Sequence, residues 1–266
     1  MNKKRWAAVL IAAGLFVVSL VSASLTKPQE NNQVEGLNSW LYGDEELVPN
    51  VLEEGDSTQK IVKLTVDGTI AAGGSSGLFA SEGYNHENFM EQLKAVEEDP
   101  TVKGIFLEVN SPGGGVYESA EIAKKLDTIR KEHDIPMYVS MKNMAASGGY
   151  YISAQADKIF ATEETVTGSI GVIMSGLNYS GLLEKLGVED TTVKSGALKD
   201  MGSGTRPETK EEEAVLQAYI DSAYQRFVRI VSEGRNKSEE AVKKIADGRI
   251  YDGVQAKEVG LVDELG

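Results

Sequence analysis

From residue 60 onward, short apolar runs bounded by turn residues alternate with stretches whose apolar positions recur every three or four residues. The run at 61–66 (IVKLTV) predicts a strand, and Gly73, Gly74 and Gly77 predict a glycine-rich turn after it. Phe89, Leu93 and Val96 fall on one face of a helix expected over 86–97. A buried strand at 104–109 (GIFLEV) precedes a helix over 119–131, where Ile122, Leu126 and Ile129 are spaced by four and three. A strand at 137–141, a turn of small residues, a helix over 147–156 and a strand at 158–162 complete the series. This grammar predicts an α/β fold with a largely parallel sheet and helices on its faces.

Beyond residue 200 the pattern turns helical. Thr209 and Glu212 make a T-x-x-E capping box, and Leu216, Ile220, Ala223, Phe227 and Ile230 form a stripe along a helix expected over 209–233. That stripe covers either the sheet or a partner subunit. Further helices are expected over 238–248 and 252–259, ahead of the terminal GLVDELG, which stops at Gly266 as at a domain edge.

At the N-terminus, Lys3, Lys4 and Arg5 precede 20 residues, 6–25, that carry no charge. As a helix such a run spans about 30 Å, the thickness of a bilayer's hydrocarbon core. Basic residues before the run orient the tip inward and place the rest of the chain outside the cytoplasm. The alternative is a cleaved signal peptide, with Val21, Ser22 and Ala23 at the cleavage position. The 20-residue length favours a retained anchor over the roughly 7–15 residues of a signal-peptide core. Residues 26–59 are rich in Asn, Gln, Glu and Gly, have no period, and predict a flexible acidic stem. Within it Trp40, Leu41 and Tyr42 offer a contact to the membrane surface or a neighbouring subunit. The expected organisation is a basic tip and transmembrane anchor at 1–25, the stem at 26–59 and a folded domain at 60–266.

Composition narrows the chemistry. The 266 residues include no cysteine, which excludes disulfides, thiolate metal sites and a cysteine nucleophile. Two histidines, His86 and His133, sit beside charged residues and read as surface groups, leaving little for a histidine triad or a multi-histidine metal site. The formal charge is −14, and 24 basic against 41 acidic side chains beyond the tip leave −17. That balance argues against nucleic acid as a partner.

Two glycine clusters follow predicted strands. Asn110-Ser111-Pro112-Gly113-Gly114-Gly115 ends GIFLEV, at a place where parallel sheets hold ligands and where glycines let backbone N–H groups approach a substrate oxygen. It fits no nucleotide-binding glycine pattern, and a plain turn is the competing reading. Asn143-Met144-Ala145-Ala146-Ser147-Gly148-Gly149-Tyr150 joins the next strand to a helix. Small residues two before and two after Ser147 permit a sharp turn that exposes its hydroxyl, as in a nucleophile elbow; a helix N-cap is the competing role. A nucleophilic serine needs a base, and a lysine serves if desolvation brings it from its ordinary value of about 10.4 toward 7 or 8. Lys199, in Ser195-Gly196-Ala197-Leu198-Lys199-Asp200, is flanked by small and apolar residues after a strand expected at 190–193. The S-x-x-K pattern from Ser57 to Lys60 lies in the stem with no helix to present it.

NSPGGG, MAASGGYY, TGSIGV at 167–172, KSGALKD, DGRIYDG and GLVDELG, in that order, resemble the bacterial signal peptide peptidase A family of serine proteases in its short Gram-positive form. The resemblance covers about 60–266 together with the N-terminal anchor. It implies a fold similar to the Clp proteolytic subunit and crotonases, and a membrane-anchored endopeptidase with a Ser/Lys dyad that degrades signal peptides after their release. Ser147 then matches the nucleophile, Lys199 the general base, and Ser169 the serine that orients the lysine. Gly113 or Gly114 together with Gly148 match the oxyanion-hole donors, with Gly113 and Gly148 preferred. The glycine-rich MGSGTRPET at 201–209 departs from the family's more hydrophobic pattern, and members usually continue for several tens of residues past the position of Gly266.

The resemblance further implies a homo-octameric ring with each dyad shared between neighbouring protomers, peptide substrates, and a protease domain outside the cell membrane. Neither metal nor cofactor is required. Two other classes use parts of the same pattern: a crotonase-like acyl-CoA enzyme, and a noncatalytic membrane scaffold. An outward-facing domain separates the first from cytosolic coenzyme A.

Overall fold

The computed structural model describes residues 49–72 and 83–266. The expected anchor at 6–25, most of the stem, and the turn at Gly73, Gly74 and Gly77 lie outside the described residues.

In chain order the elements are β1 Lys60–Asp67, α1 His86–Glu98, β2 Val102–Ser111, α2 Val116–Glu132, β3 Met137–Ala146 and α3 Gly148–Ser153. They continue as β4 Lys158–Ala161, β5 Val166–Gly168, α4 Ser180–Lys185, α5 Lys210–Gly234, α6 Glu239–Lys243, β6 Ile250–Tyr251, α7 Gly253–Glu258 and β7 Glu264–Leu265. The sheet runs β1-β2-β3-β4-β7, with β5 on β3 and β6 on β5. Every pairing is parallel except β5 with β6, so the expected parallel α/β sheet is present. Leu64, Val66, Leu107, Val109, Val139 and Met141 are buried, and α1 and α2 cover them with Phe89, Leu93, Ile122, Leu126 and Ile129. Burial of such side chains, at roughly 1.5–3 kcal/mol each, is what holds the layers together.

β3 extends five residues beyond the expected strand, through the region read as a small-residue turn. Its two halves have different partners on one edge: Tyr138–Ser140 pair with β4, Met144–Ala146 with β5. Thr165 makes the change of partner possible. Its Oγ1 donates to Lys142 O at 2.8 Å and accepts from Thr162 N at 3.0 Å, turning the chain between the two short strands. On its other edge, β3 registers Met141 against Val109 but Ala145 against Ser111, an irregularity that re-aims its C-terminal end.

Elsewhere the periodicity overstates or misplaces elements. The helices expected over 147–156 and 238–248 shorten to Gly148–Ser153 and Glu239–Lys243. No strand forms at 190–193: the Asp190 carboxylate accepts from Thr192 N at 2.8 Å, and Val193 is 98% exposed with no neighbouring strand among the described residues. The capping box forms as expected, with Thr209 Oγ1 accepting from Glu212 N and the Glu212 carboxylate accepting from Thr209 N. Only the second half of the stripe on α5 is buried: Ala223 and Phe227 are covered, whereas Leu216 and Ile220 are half-buried and Tyr219 is 52% exposed.

Candidate active site

Ser147 stands between β3 and α3 with φ 53° and ψ −120°, a conformation that L-residues other than glycine avoid and that costs about 1–3 kcal/mol. Its side chain makes no capping hydrogen bond to α3, so the N-cap role weighed from sequence does not account for it. The backbone is held from both sides: Ser147 N donates to Gly168 O at 2.9 Å, and Ser147 O accepts from Tyr151 N at 2.8 Å. The turn therefore fixes a half-buried serine whose hydroxyl is spared from structural duty.

The glycine loop after β2 lies directly against this turn. A Cβ at Gly113 would meet Gly148 N at 2.5 Å and Ser147 Cβ at 2.8 Å, and Gly113 itself has φ +95°. A Cβ at Gly148 would meet Ser119 Oγ at 2.4 Å and Gly114 N at 3.1 Å. Backbone from two strand ends thus meets at a spacing only glycine permits. Gly113 N–H donates to Ser111 Oγ at 3.1 Å and is buried. Gly114 is exposed, and among the described residues no acceptor takes its N–H. Its neighbours are engaged: Ile70 N donates to Gly113 O and Gly115 N to Ile70 O. The free donor of this loop is that of Gly114, a change from the sequence preference for Gly113. The reason is the Ser111 hydroxyl, which the sequence places in the same motif without revealing where it points.

Ser169 lies one residue beyond β5, and Ala146 pairs with Gly168 in the β3–β5 register. Ser147 and Ser169 therefore emerge side by side. Ser169 also has positive φ, 50°, and its N–H donates to Arg249 O at 2.8 Å.

Lys199 makes no hydrogen bond to this group. It lies on an exposed turn within an extended stretch that carries Ile173, Leu177 and Val193 at 87, 86 and 98% exposure. No hydrogen bond joins it to Ser147, and among the described residues its amine has no acceptor. The nearby lysine of the same motif differs: Lys194 Nζ donates to Asp200 Oδ1 at 2.6 Å. Lys60, the lysine of the stem pattern, pairs with Asp99 at 3.1 Å. His86 corrects the surface expectation, since its side chain is 12% exposed and both ring nitrogens are engaged, by Tyr84 Oη at 2.6 Å and Glu121 Oε2 at 2.9 Å. His133 is exposed, as expected, at the C-cap of α2. Burial, with Glu118 and Glu121 nearby, pushes the Tyr84 hydroxyl well above the ordinary tyrosine range.

The sequence model of peptidase family S49 matches residues 129–266, and that of Clp protease matches residues 80–167. The chain is 60% identical over its whole length to the "Putative signal peptide peptidase SppA" of Enterococcus faecium, of which it covers 78%. It is 36% identical to "Protease 4" of Haemophilus influenzae, over 82% of this chain and 35% of that one. Among solved structures, a ClpP1 mutant from Listeria monocytogenes aligns over 77% of this chain and 90% of its own at 18% identity, TM-score 0.48. The chain belongs to peptidase family S49. As an S49 member of the signal peptide peptidase A group it is a serine protease, and the Ser147 turn described above lies within its matched region. Sequence reasoning on this S49 chain missed the ion pairs around the Lys199 turn. Arg206 donates from Nε and Nη2 to the two carboxylate oxygens of Asp200 at 2.8 and 2.7 Å, and from Nη1 to Glu212 Oε2 at 2.9 Å. The recurrence of charge at 200, 206 and 212 was the available signal.

Proposed function

We propose that this protein is a membrane-anchored endopeptidase that cleaves released signal peptides, and other peptides or unfolded segments, with Ser147 as nucleophile and Lys199 as general base. The observation that carries the reading is the strained turn at Ser147, which presents a hydroxyl beside the N–H groups of Gly114 and Gly148, none of the three having a hydrogen-bond partner among the described residues. In the proposed cycle the neutral Lys199 amine takes the Ser147 proton, and Oγ attacks the peptide carbonyl. Gly114 N–H and Gly148 N–H receive the oxyanion, each such donor being worth about 3–4 kcal/mol in known sites. The ammonium then protonates the leaving amine, and water hydrolyses the acyl-enzyme with the same lysine as base. Ser169 orients the lysine.

Because no hydrogen bond joins Lys199 to Ser147 within one chain, the dyad is proposed to form between neighbouring protomers of a homo-octameric ring. The exposed apolar residues around Lys199 and the uncovered half of the α5 stripe support an interface there. The anchor at 6–25 would tether this ring to the outer face of the cytoplasmic membrane. The deciding experiment treats the full-length protein in detergent with a fluorophosphonate and maps the adduct. Labelling of Ser147 that fails in Lys199→Ala supports the dyad; labelling of another serine overturns it.

A further inference from the structure

The turn that carries Lys199 is held by a small, closed set of charges. Asp200 receives Arg206 in a bidentate fork and Lys194 at 2.6 Å. Arg206 also binds Glu212, which is 1% exposed, and donates to Pro207 O at 3.1 Å. Glu212 closes the N-terminal turn of α5 through the capping box. Asp190 faces the cluster from the preceding loop, its carboxylate held by Thr192 and Thr205. Within the turn, Lys199 N donates to Gly196 O at 3.2 Å and Ser203 N to Asp200 O at 3.0 Å. The two cations Arg206 and Lys194 are matched by the two carboxylates Asp200 and Glu212, and the Lys199 amine has no acceptor among the described residues.

We infer that Arg206 is a positioning residue for the base: it ties the Lys199 turn to α5 and keeps the Asp200 carboxylate off the Lys199 amine. A carboxylate beside an amine favours the ammonium form, which cannot act as a base. Asp200 keeps Lys194 on Oδ1 without Arg206, but its Oδ2 is then freed beside Lys199 in the chain and open to that amine. The bidentate fork is the arrangement that prevents this with fixed geometry, which a lysine at 206 would not reproduce. This inference rests on Lys199 being the base.

The test measures kcat/KM from pH 6 to 10 on a fluorogenic peptide with the full-length protein. Arg206→Ala is expected to lose up to about 10-fold at pH 7, with the acid limb moved up by about one pH unit, and to recover toward high pH. Arg206→Lys, which spares the buried Glu212 an unpaired charge, should show the same displacement in smaller measure. Adding Asp200→Asn to Arg206→Ala should return the limb to its wild-type position, since the intruding carboxylate is gone. A profile lowered equally at every pH, an unmoved limb in Arg206→Lys, or a limb still displaced in the double variant would overturn the inference. Full activity in Lys199→Ala would instead overturn the dyad on which it stands, so the two failures are distinct.

Discussion

Ala146 and Gly168 are register partners at the ends of β3 and β5, so Ser147 and Ser169 leave the sheet as neighbours, both with positive φ. The strands thereby bring the two serine backbones side by side without a helix or a loop having to find the place.

If these serines serve the chemistry proposed, Ser147→Ala and Lys199→Ala will each abolish peptidase activity while leaving thermal unfolding nearly unchanged. The double variant will be no worse than either single one, because the pair acts as a unit. Ser169→Ala is expected to lose about 10- to 100-fold, since it orients the base and transfers no proton. kcat/KM of the wild type should rise from acid toward alkaline pH as the base loses its proton, and a maximum near pH ~5 would point to carboxylate chemistry instead.

The two glycine loops should respond differently from ordinary turns. Gly148→Ala drives a methyl to 2.4 Å from Ser119 Oγ and 3.1 Å from Gly114 N, and should remove activity. Gly113→Ala should do the same and also lower stability by about 2–3 kcal/mol, since φ +95° strains any side chain there and Gly148 N lies 2.5 Å away. Ser111→Ala frees the Gly113 N–H without adding bulk. Steady-state kinetics on it separates the two candidate donors: near-normal kcat is expected if Gly114 is the donor, and a large change in kcat would return the role to Gly113.

Acid should loosen the α5 cap. The Arg206 guanidinium and the Thr209 N–H hold Glu212 at about 2, below its ordinary 4.5, and Arg206 and Lys194 hold Asp200 lower still. A depressed carboxylate stabilises the fold fully above its unfolded value and loses that contribution as pH falls toward the folded one. Stability should therefore decline between about pH 4.5 and 2, and urea midpoints for Glu212→Gln should be lower at pH 7 but fall less steeply across that window.

Assembly is open to a mixing test. Ser147→Ala chains combined with Lys199→Ala chains should regain part of the activity, because some contacts then join an intact serine to an intact lysine. Charged substitutions at Ile173, Leu177 and Val193 should reduce the mass in light scattering and activity together. A fully active monomer, or mixtures that stay inactive after proven subunit exchange, would dismiss the shared site.

The sheet was legible because its strands are continuous apolar runs and its helices keep three-and-four spacing, and those signals depend on burial. They failed where local chemistry intervened. At 190–193 the Asp190 carboxylate engages Thr192 N in place of a strand, and Thr165 let β5 replace β4 on the edge of β3, extending a strand through residues that read as a turn. Ser147 was legible as a candidate through its small neighbours; the positive φ that distinguishes it from an N-cap was not. His86 was misjudged because one of its partners, Glu121, comes from a separate segment 35 residues away. The Lys199 setting was unreadable for a similar reason, since Arg206 acts across a turn and not along a period.

The φ of 53° at Ser147 also has an evolutionary consequence. Glycine would relax in that conformation, and the gain of about 1–3 kcal/mol exceeds the roughly 0.5–1 kcal/mol of chain entropy that glycine forfeits. Ser147→Gly should thus melt higher than the wild type while being inert. Selection for thermal endurance alone would favour glycine at 147; if Ser147 is the proposed nucleophile, its role in proteolysis and the folding of the same strand end pull in opposite directions.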